Sequence, residues 1–511
     1  ITASPFPAFI SLEPPAEAPG IFLQSEAGRF SMHSWHFFCD TFGCKVNQYE
    51  TESVREAWTA RGGSECSDPS GADIILVNSC AITSRGERDA RNALVRLRRE
   101  APEAILILTG CAARLVASFV PRKHAPVPSA DLIIVPEHKD LLTDPDYIGK
   151  LLDAAAEFRE RRNPRNDALR DIEGSALPGP MPKVIPGTRA YPKLEIRGYR
   201  RVRPVLKVED GCTHRCTYCI VPQTRGMYVS RSPEETSAEA DRLFRDHAEI
   251  MISGINLGQY GRDRPEWGTF WDLLAHIEKD LAPSWAGRRR FRISSLEPSQ
   301  LKDRALSVLA ASRLAAPHLH ISLQHASQRI LRRMGRGHYS VDTLLRAVEK
   351  IHGFWPVMGL GCDIIVGFPG EEERDVEELC RFLQDSPMTY AHVFPYSRRP
   401  GTPAASFPGQ IPRAEKLARA AAVRGVVAEK ARAFWESQLE RGVMAIIPDA
   451  EAGSLPGLVH GVNEFYVPCF LPAADYPRDR FTMARPVRLC AKGIVCEPLG
   501  ETQPGGGLPP R

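Results

Sequence analysis

Gly211-Cys212-Thr213-His214-Arg215-Cys216-Thr217-Tyr218-Cys219 sets three cysteines at C-x3-C-x2-C spacing directly after a strand-like run at residues 205–208. Thiolates are the soft ligands that hold iron–sulfur clusters, and three of them on a four-iron cubane leave one iron open for another ligand. A zinc knuckle would need a fourth ligand, and buried structural thiols need no fixed spacing. The loop's place after a strand matters as much, because a barrel of alternating strands and helices carries its chemistry on the loops that follow the strands.

Outward from this loop, strand-like runs at 250–253, 291–294, 318–323, 363–366 and 390–394 alternate with helical stretches. Residues 201–432 thus read as six β/α units, an open or partial barrel. Upstream, 36–39, 73–77 and 105–108 read as strands and 47–61 as a helix. Between the last two strands Ala90, Ala93, Leu94 and Leu97 follow the helical period, leaving Arg88, Arg91, Arg98 and Arg99 toward solvent. That alternation predicts a parallel α/β sheet over 35–150. Residues 151–200 hold Pro164, Pro178, Pro180, Pro182, Pro186 and Pro192 without a sustained period and read as a linker. A helix from 413 to about 440 leads into short β-like runs that predict a small β-barrel over 433–500. Residues 1–34 and 501–511 are expected to be a disordered extension and tail.

The composition fits this α/β reading, with 43% hydrophobic and 25% charged residues and no apolar run long enough to span a bilayer. The first residues lack a basic segment followed by a continuous apolar one, so no secretory leader is expected. Thirteen unevenly spaced cysteines then point to metal binding in a reducing compartment, the cytoplasm, rather than to disulfides. A net charge of +4 over 511 residues diagnoses no polyanion partner by itself.

Three more cysteines have telling neighbours, in Gly43-Cys44-Lys45-Val46-Asn47, Asn78-Ser79-Cys80 and Gly110-Cys111-Ala112. Each follows a predicted strand, and the strand ends of a parallel sheet lie on one edge. A second triad follows if those strands are neighbours. From spacing alone, three ordinary buried cysteines are an equal reading.

The C-x3-C-x2-C loop resembles that of the radical S-adenosylmethionine superfamily. From about 35 to 495 the chain is similar to its methylthiotransferases, whose N-terminal domain carries an auxiliary cluster. The stretch Phe42-Gly43-Cys44-Lys45-Val46-Asn47-Gln48-Tyr49-Glu50 looks like the variety that modifies N6-threonylcarbamoyladenosine in tRNA (MtaB type), where isopentenyladenosine enzymes usually read Gln-Met-Asn. Further matches are 208–212, 253–261, 292–298 and 392–397. The resemblance implies two [4Fe-4S] clusters, one on Cys212, Cys216 and Cys219 and one on Cys44, Cys80 and Cys111. The first would bind and cleave S-adenosylmethionine to give a 5′-deoxyadenosyl radical, and the second would carry the sulfur. It also implies tRNA as substrate, position 37 beside the anticodon as target, a TRAM-like terminal barrel, and a flavodoxin or ferredoxin system as electron donor. A monomer is expected.

Cofactor contacts are expected at Tyr218, Gly254, Ser295, Glu297, Gln324, Arg336 and Asp363, with Gln324 and Asp363 at the next two strand ends after Ser295 and Glu297. Around Gln324 the chain departs from the family's usual Leu-Pro-Leu-Gln-Ser-Gly-Ser, reading Leu-His-Ile-Ser-Leu-Gln-His-Ala-Ser at 319–327. His325 reads as a hydrogen-bonding loop residue. Gly367-Phe368-Pro369-Gly370-Glu371 lacks the Gly-Lys-Ser/Thr ending of a phosphate loop. Between Lys183 and Arg231 eleven basic residues face three acidic ones, with Tyr191 and Tyr199 interleaved. That composition suits an RNA track through Arg200, Arg201 and Arg203; a merely solvated basic strand is the plainer alternative. The rival functions are methylthiolation of isopentenyladenosine tRNA or of a ribosomal-protein aspartate, and, in another class, a noncatalytic iron–sulfur RNA-binding protein.

Overall fold

The computed structural model describes residues 34–118, 130–162, 183–185, 191–449 and 455–499. The chain divides into two compact units, Ile1–Ser34 and Trp35–Arg511. The expected extension, except Ser34, and the expected tail lie outside the described residues.

Within the second unit, β1 (Trp35–Thr41), β2 (Gly63–Glu65), β3 (Ile74–Ser79), β4 (Ile105–Gly110), β5 (Leu132–Ile134) and β6 (Lys183–Ile185) form an all-parallel sheet in the order β2-β1-β3-β4-β5-β6. β3 and β4 are buried along their whole lengths, as strands covered on both faces must be. Helices α1 (Lys45–Ala60), α2 (Ser84–Glu100), α3 (Cys111–Ser118) and α4 (Pro145–Arg162) supply the cover. α2 buries Ala90, Ala93, Leu94 and Leu97, and Thr83 caps it by accepting the Gly86 amide.

The expected linker differs at both ends. α4 continues to Arg162 because Ile148, Leu151 and Ala155 are buried against the sheet, and the first proline of the stretch, Pro164, comes only after it. β6 adds a strand to that sheet, and Leu194, Ile196 and Tyr199 are buried in the core of the next module. A proline count cannot see such anchors.

That module contains two parallel sheets. One holds β7 (Val205–Lys207), β10 (Glu249–Ser253) and β11 (Arg290–Ile293); the other holds β12 (Ser295–Leu296), β13 (His318–Gln324), β14 (Gly359–Val366) and β15 (Tyr390–Pro395). Only Ser294 separates β11 from β12, so the sheets are successive parts of one open half-barrel. The short pair β8 (Glu209–Asp210) and β9 (Val229–Ser230) flanks the cysteine loop. β14 starts well before the expected run at Asp363, which corrects that residue's place from strand end to mid-strand. Glycine is a poor strand former, yet a Cβ at Gly359 would strike the Phe465 carbonyl and one at Gly361 the Tyr390 ring.

A closed barrel of β16 (Met444–Asp449), β17 (Leu458–Val462), β18 (Pro468–Pro472), β19 (Thr482–Cys490) and β20 (Gly493–Pro498) completes the unit. The helix Arg413–Ser437 joins the modules: Ala420 and Val423 pack into the half-barrel core, Phe434 and Trp435 against the barrel. A boundary at 432 therefore falls inside a helix. The barrel docks at the N-terminal end of the half-barrel strands. There Glu249 binds Arg290 (2.5 Å) and Arg292 (2.9 Å), which donate onward to the carbonyls of Ala445 and of Asn463 and Glu464. Among the described residues no helix is long and apolar enough to cross a membrane.

Between the first sheet and the half-barrel lies a cluster of buried charge. Glu50 of α1 pairs with Lys139, Lys207 (2.8 Å) and Arg225 (2.9 Å), while Asp210 takes Lys207 (2.5 Å) and Arg225 (2.8 Å). None of the five is more than 4% exposed. Removing one member strands the others in low dielectric, at a cost of about 3–5 kcal/mol. We expect Glu50→Gln to lose about that much stability in urea denaturation of the metal-free protein at neutral pH; a loss below about 1 kcal/mol would deny the cluster a structural role. Burial alone would raise the Glu50 carboxyl, but Arg225, Lys139 and Lys207 hold it well below the ordinary range. Its contribution is thus complete above the unfolded value of about 4.3 and fades as pH falls further. The gap between wild type and Glu50→Gln should close on acidification, not on making the solution alkaline.

Candidate active site between two cysteine triads

The sheet order makes β1, β3 and β4 neighbours, and Cys44, Cys80 and Cys111 stand just past their C-terminal ends. Cys44 is the N-cap of α1 and Cys111 opens α3. Neighbouring strands are about 4.8 Å apart, so the three thiols are set along one short edge. Packing there leaves no spare atoms: a Cβ at Gly43 would lie 2.7 Å from the Cys80 Cβ and 2.8 Å from its Sγ. Gly110, at φ +89°, turns the chain from β4 into α3 where any side chain would strike the Ser79 backbone.

The second triad sits on the loop after β8. Gly211, at φ +85°, lets the chain leave the strand under the Met227 carbonyl, which a Cβ would strike. The loop is pinned by backbone on several sides: the Cys212 amide donates to Gly226 (3.1 Å), the Thr217 amide to Met334 (2.9 Å) and the Ala404 amide to the Thr217 carbonyl (2.8 Å). Side chains address the sulfurs. The His214 amide (3.4 Å) and Asn256 Nδ2 (3.6 Å) donate to Cys212 Sγ, and Arg336 donates to Cys216 Sγ (3.5 Å). Glu297 Oε1 lies 2.9 Å from His214 Nδ1 and accepts from Arg336 (3.2 Å), so both cations beside Cys216 share one carboxylate.

Burial pushes the Cys80 and Cys212 thiols up to about 11 and the Cys219 thiol up to about 12. Burial acts on Cys216 too, but His214 and Arg336 outweigh it and hold that thiol below its ordinary value. A metal that takes these sulfurs as thiolates must therefore displace protons. Among the described residues no three His, Cys, Asp or Glu side chains crowd closely enough to ligate one metal ion. A cubane instead gives each thiolate its own iron, and two all-sulfur sets of three suit that arrangement.

The triads meet at one seam. Ile220, next to Cys219, shares an apolar cluster with Ala81, Cys111 and Ala112. Just beyond it, Arg225 donates through Nε to Cys111 Sγ (3.2 Å) and through its terminal nitrogens to Asn47 (2.7 Å), Glu50 and Asp210. One segment thus runs from a ligand of one triad to contact with the other.

Family models match the chain twice: the radical SAM superfamily over residues 206–383, and the "Uncharacterized protein family UPF0004" over 36–127. A threonylcarbamoyladenosine tRNA methylthiotransferase MtaB of Bacillus subtilis is 32% identical over 80% of this chain and 84% of its own length. The protein of that name from Thermotoga maritima is 32% identical over 84% and 89%. A tRNA-2-methylthio-N(6)-dimethylallyladenosine synthase of a Jannaschia species is 30% identical over 84% and 86%. The chain belongs to the radical SAM methylthiotransferase family. It is therefore an enzyme that transfers a sulfur-containing group, and membership implies a [4Fe-4S] cluster and S-adenosylmethionine.

Of the residues expected to bind that cofactor, Glu297 and Arg336 stand beside Cys216 and contact each other. Tyr218 is half-buried, its ring edge-on to Phe368 (6.5 Å). Ser295 is exposed in β12, and Gln324 ends β13 in a left-handed conformation (φ 70°) where the register with β14 shifts. Gly254 makes room for Glu209, whose carboxylate a Cβ would meet at 2.7 Å. Asp363 faces the interior and pairs with His320 (3.1 Å). His325 is buried, accepting the Ser327 amide (2.9 Å), and Glu371 accepts the Gly367 amide (2.8 Å), so both serve the framework.

The basic track is corrected. Lys207, Arg225 and Arg231 are buried in ion pairs, Tyr199 is buried, and the Tyr191 hydroxyl donates to the Lys207 carbonyl (2.8 Å). Arg200 is exposed but pairs with Glu65, Arg201 donates to Gln48 (3.1 Å), and Arg203 is half-buried beneath Tyr466. Charge counted along a sequence cannot separate a solvated arginine from one that neutralises a buried carboxylate. Glu50 and Lys139 went unread as members of the buried cluster, although a lysine inside the strand-like run 205–208 is a signal.

We expect Gly211→Ala to weaken the loop severely, because it adds both an unfavourable φ and a collision with backbone. Anaerobic iron loading should fall toward that of a protein lacking Cys212, Cys216 and Cys219. Gly71→Ala, which meets nothing within 4 Å, should load normally. Equal loading of the two variants would overturn this account of the loop.

Proposed function

We propose that the enzyme converts N6-threonylcarbamoyladenosine at position 37 of tRNA, beside the anticodon, into its 2-methylthio derivative. The observation that carries the reading is the seam where Cys219–Arg225 meets Cys111, since a product that gains sulfur at a radical centre needs both functions at one place. The Lys45-Val46-Asn47-Gln48-Tyr49 stretch and the names of the Bacillus and Thermotoga relatives support the threonylcarbamoyl substrate.

In this reading two [4Fe-4S] clusters are held, one on Cys212, Cys216 and Cys219 and one on Cys44, Cys80 and Cys111. When bound, they and S-adenosylmethionine supply the radical and the sulfur. The protein's share is placement. Arg336 offers a guanidinium fork to a carboxylate next to Cys216, with Glu297 orienting it. Arg225 sets a fixed positive charge against Cys111. Burial around Ile220 and Ala81 keeps water from the seam. Arg200 and Arg201 remain for RNA phosphates, with Lys193 and Arg197 exposed on the same segment. A flavodoxin or ferredoxin system would supply electrons, and the enzyme would act as a monomer in the cytoplasm. The Jannaschia relative favours isopentenyladenosine as the second reading.

Anaerobic reconstitution should give about eight irons per chain, and about four when Cys44, Cys80 and Cys111 are changed to Ala. That variant should still form 5′-deoxyadenosine but no methylthio product. Changing Cys212, Cys216 and Cys219 should abolish 5′-deoxyadenosine. Methylthiolation by the first variant, followed by mass spectrometry on threonylcarbamoyladenosine tRNA, would refute the division of labour. Modification of isopentenyladenosine tRNA alone would refute the substrate.

A further inference from the structure

Alternate residues of the half-barrel strands point inward, and its inner face is polar and aromatic where a structural core would be aliphatic. His318 lies 2.7 Å and His320 3.0 Å from the Tyr390 hydroxyl, and His392 lies tilted beyond His320, ring centres 5.2 Å apart. Into this face the terminal barrel sends Tyr466, from the turn between β17 and β18. Its φ of 69° is a conformation that tyrosine rarely adopts and that only surrounding structure can impose. The ring packs against His318 (4.9 Å) and Tyr390 (5.7 Å), with the guanidinium of Arg292 5.1 Å and that of Arg203 5.5 Å from its centre.

The charges here do not balance. Glu249 serves Arg290 and Arg292, and Asp363 pairs with His320. Neither Arg203 nor Lys45 forms an ion pair among the described residues, and one terminal nitrogen of Arg203 is buried with no partner, as is Nδ1 of His318. Lys45, exposed at the start of α1, sets its charge against Tyr466, Arg203, Arg292 and Asp363, so it borders the space beside this polar face. Burial would raise the Tyr466 phenol, but Arg203, Lys45 and Arg292 outweigh it and hold the phenol below its ordinary value, the mark of a positive potential. Lys45 also follows Cys44 directly, so a group on a base presented to the triads is within a side chain's reach of this space.

We propose that Lys45 and Arg203, with the Tyr466 hydroxyl, form a carboxylate receptor inside the half-barrel that recognises the carboxyl group on the N6 substituent of the substrate base. The inference rests on the threonylcarbamoyladenosine reading above and adds which residues make that substituent a requirement. An RNA phosphate has similar charge, but phosphates stay on the outer face of a base whose edge enters the barrel.

The test uses the reconstituted holoenzyme and two anticodon stem-loop RNAs, one with threonylcarbamoyladenosine and one with its methyl ester, which removes the charge and leaves every phosphate. Wild type should use the ester about 10- to 100-fold less well in kcat/KM, the range of a charge-assisted hydrogen bond. Lys45→Gln and Arg203→Gln, at matched iron content, should lose most of that preference, mainly through KM on the acid, and Lys45→Arg should restore it. Equal use of acid and ester by wild type overturns the receptor and leaves the substrate reading standing; this arm needs no variant to fold. Undiminished preference in both Gln variants also overturns it. Methylthiolation of neither RNA overturns the substrate reading and the receptor with it.

Discussion

The buried cluster of Glu50, Asp210, Lys139, Lys207 and Arg225 sets the relation between the two cysteine triads. Its members come from α1, from the segment after β5, and from the first strands and loops of the half-barrel. Ion pairs sunk this deep add little net stability over apolar residues of similar volume, because desolvation cancels most of the attraction. What they add here is direction. A hydrophobic contact between the modules would tolerate sliding, whereas five charges with paired hydrogen bonds admit one register. Arg225 turns that register into chemistry: it completes the cluster with two nitrogens and reaches Cys111 with the third.

The same constraint explains why so short a stretch, Cys219 to Arg225, can serve both triads. Cys219 belongs to the radical SAM loop, Ile220 packs on Cys111, and Val221–Thr224 forms a single helical turn that delivers Arg225. Each triad is rigid in its own module, through the strand ends on one side and the backbone-pinned loop on the other. Only the interface between modules could vary, and it is there that the buried charge lies.

Much of this architecture is legible in one dimension. The strand-like runs at 73–77 and 105–108 and the helical period of Ala90, Ala93, Leu94 and Leu97 reflect burial, and burial is what β3, β4 and α2 display. The glycine before Cys44, Cys111 and Cys212 marks a turn at each strand end, so the triads are legible once strand order is known. Charge is less legible. Lys207, Arg225 and Arg231 read as a basic surface because a sequence names the cation and not its partner: Glu50 is distant along the chain, and nothing in the sequence marks the nearer Asp210 and Glu239 as the carboxylates that pair with them. Likewise Gly359 and Gly361 hide the start of β14, since the reason for each is a neighbour from another element.

Tyr466 was the least foreseeable of these residues, and it changes what the terminal barrel is for. Read as a sequence, 433–500 is a TRAM-like barrel appended to the half-barrel. In the fold its turn fills the N-terminal end of the half-barrel: Gly359 yields to Phe465, Arg292 holds the carbonyls of Asn463 and Glu464, and Tyr466 takes a left-handed conformation to enter the interior. An appendage that only gripped RNA would gain nothing from a strained tyrosine in a distant core. Because that strain must be offset by the contacts around it, the barrel is a wall of the central chamber. Lys45, exposed at the start of α1, adds the first module's charge to the same polar face, where Arg203 and Arg292 of the half-barrel meet Tyr466 of the barrel.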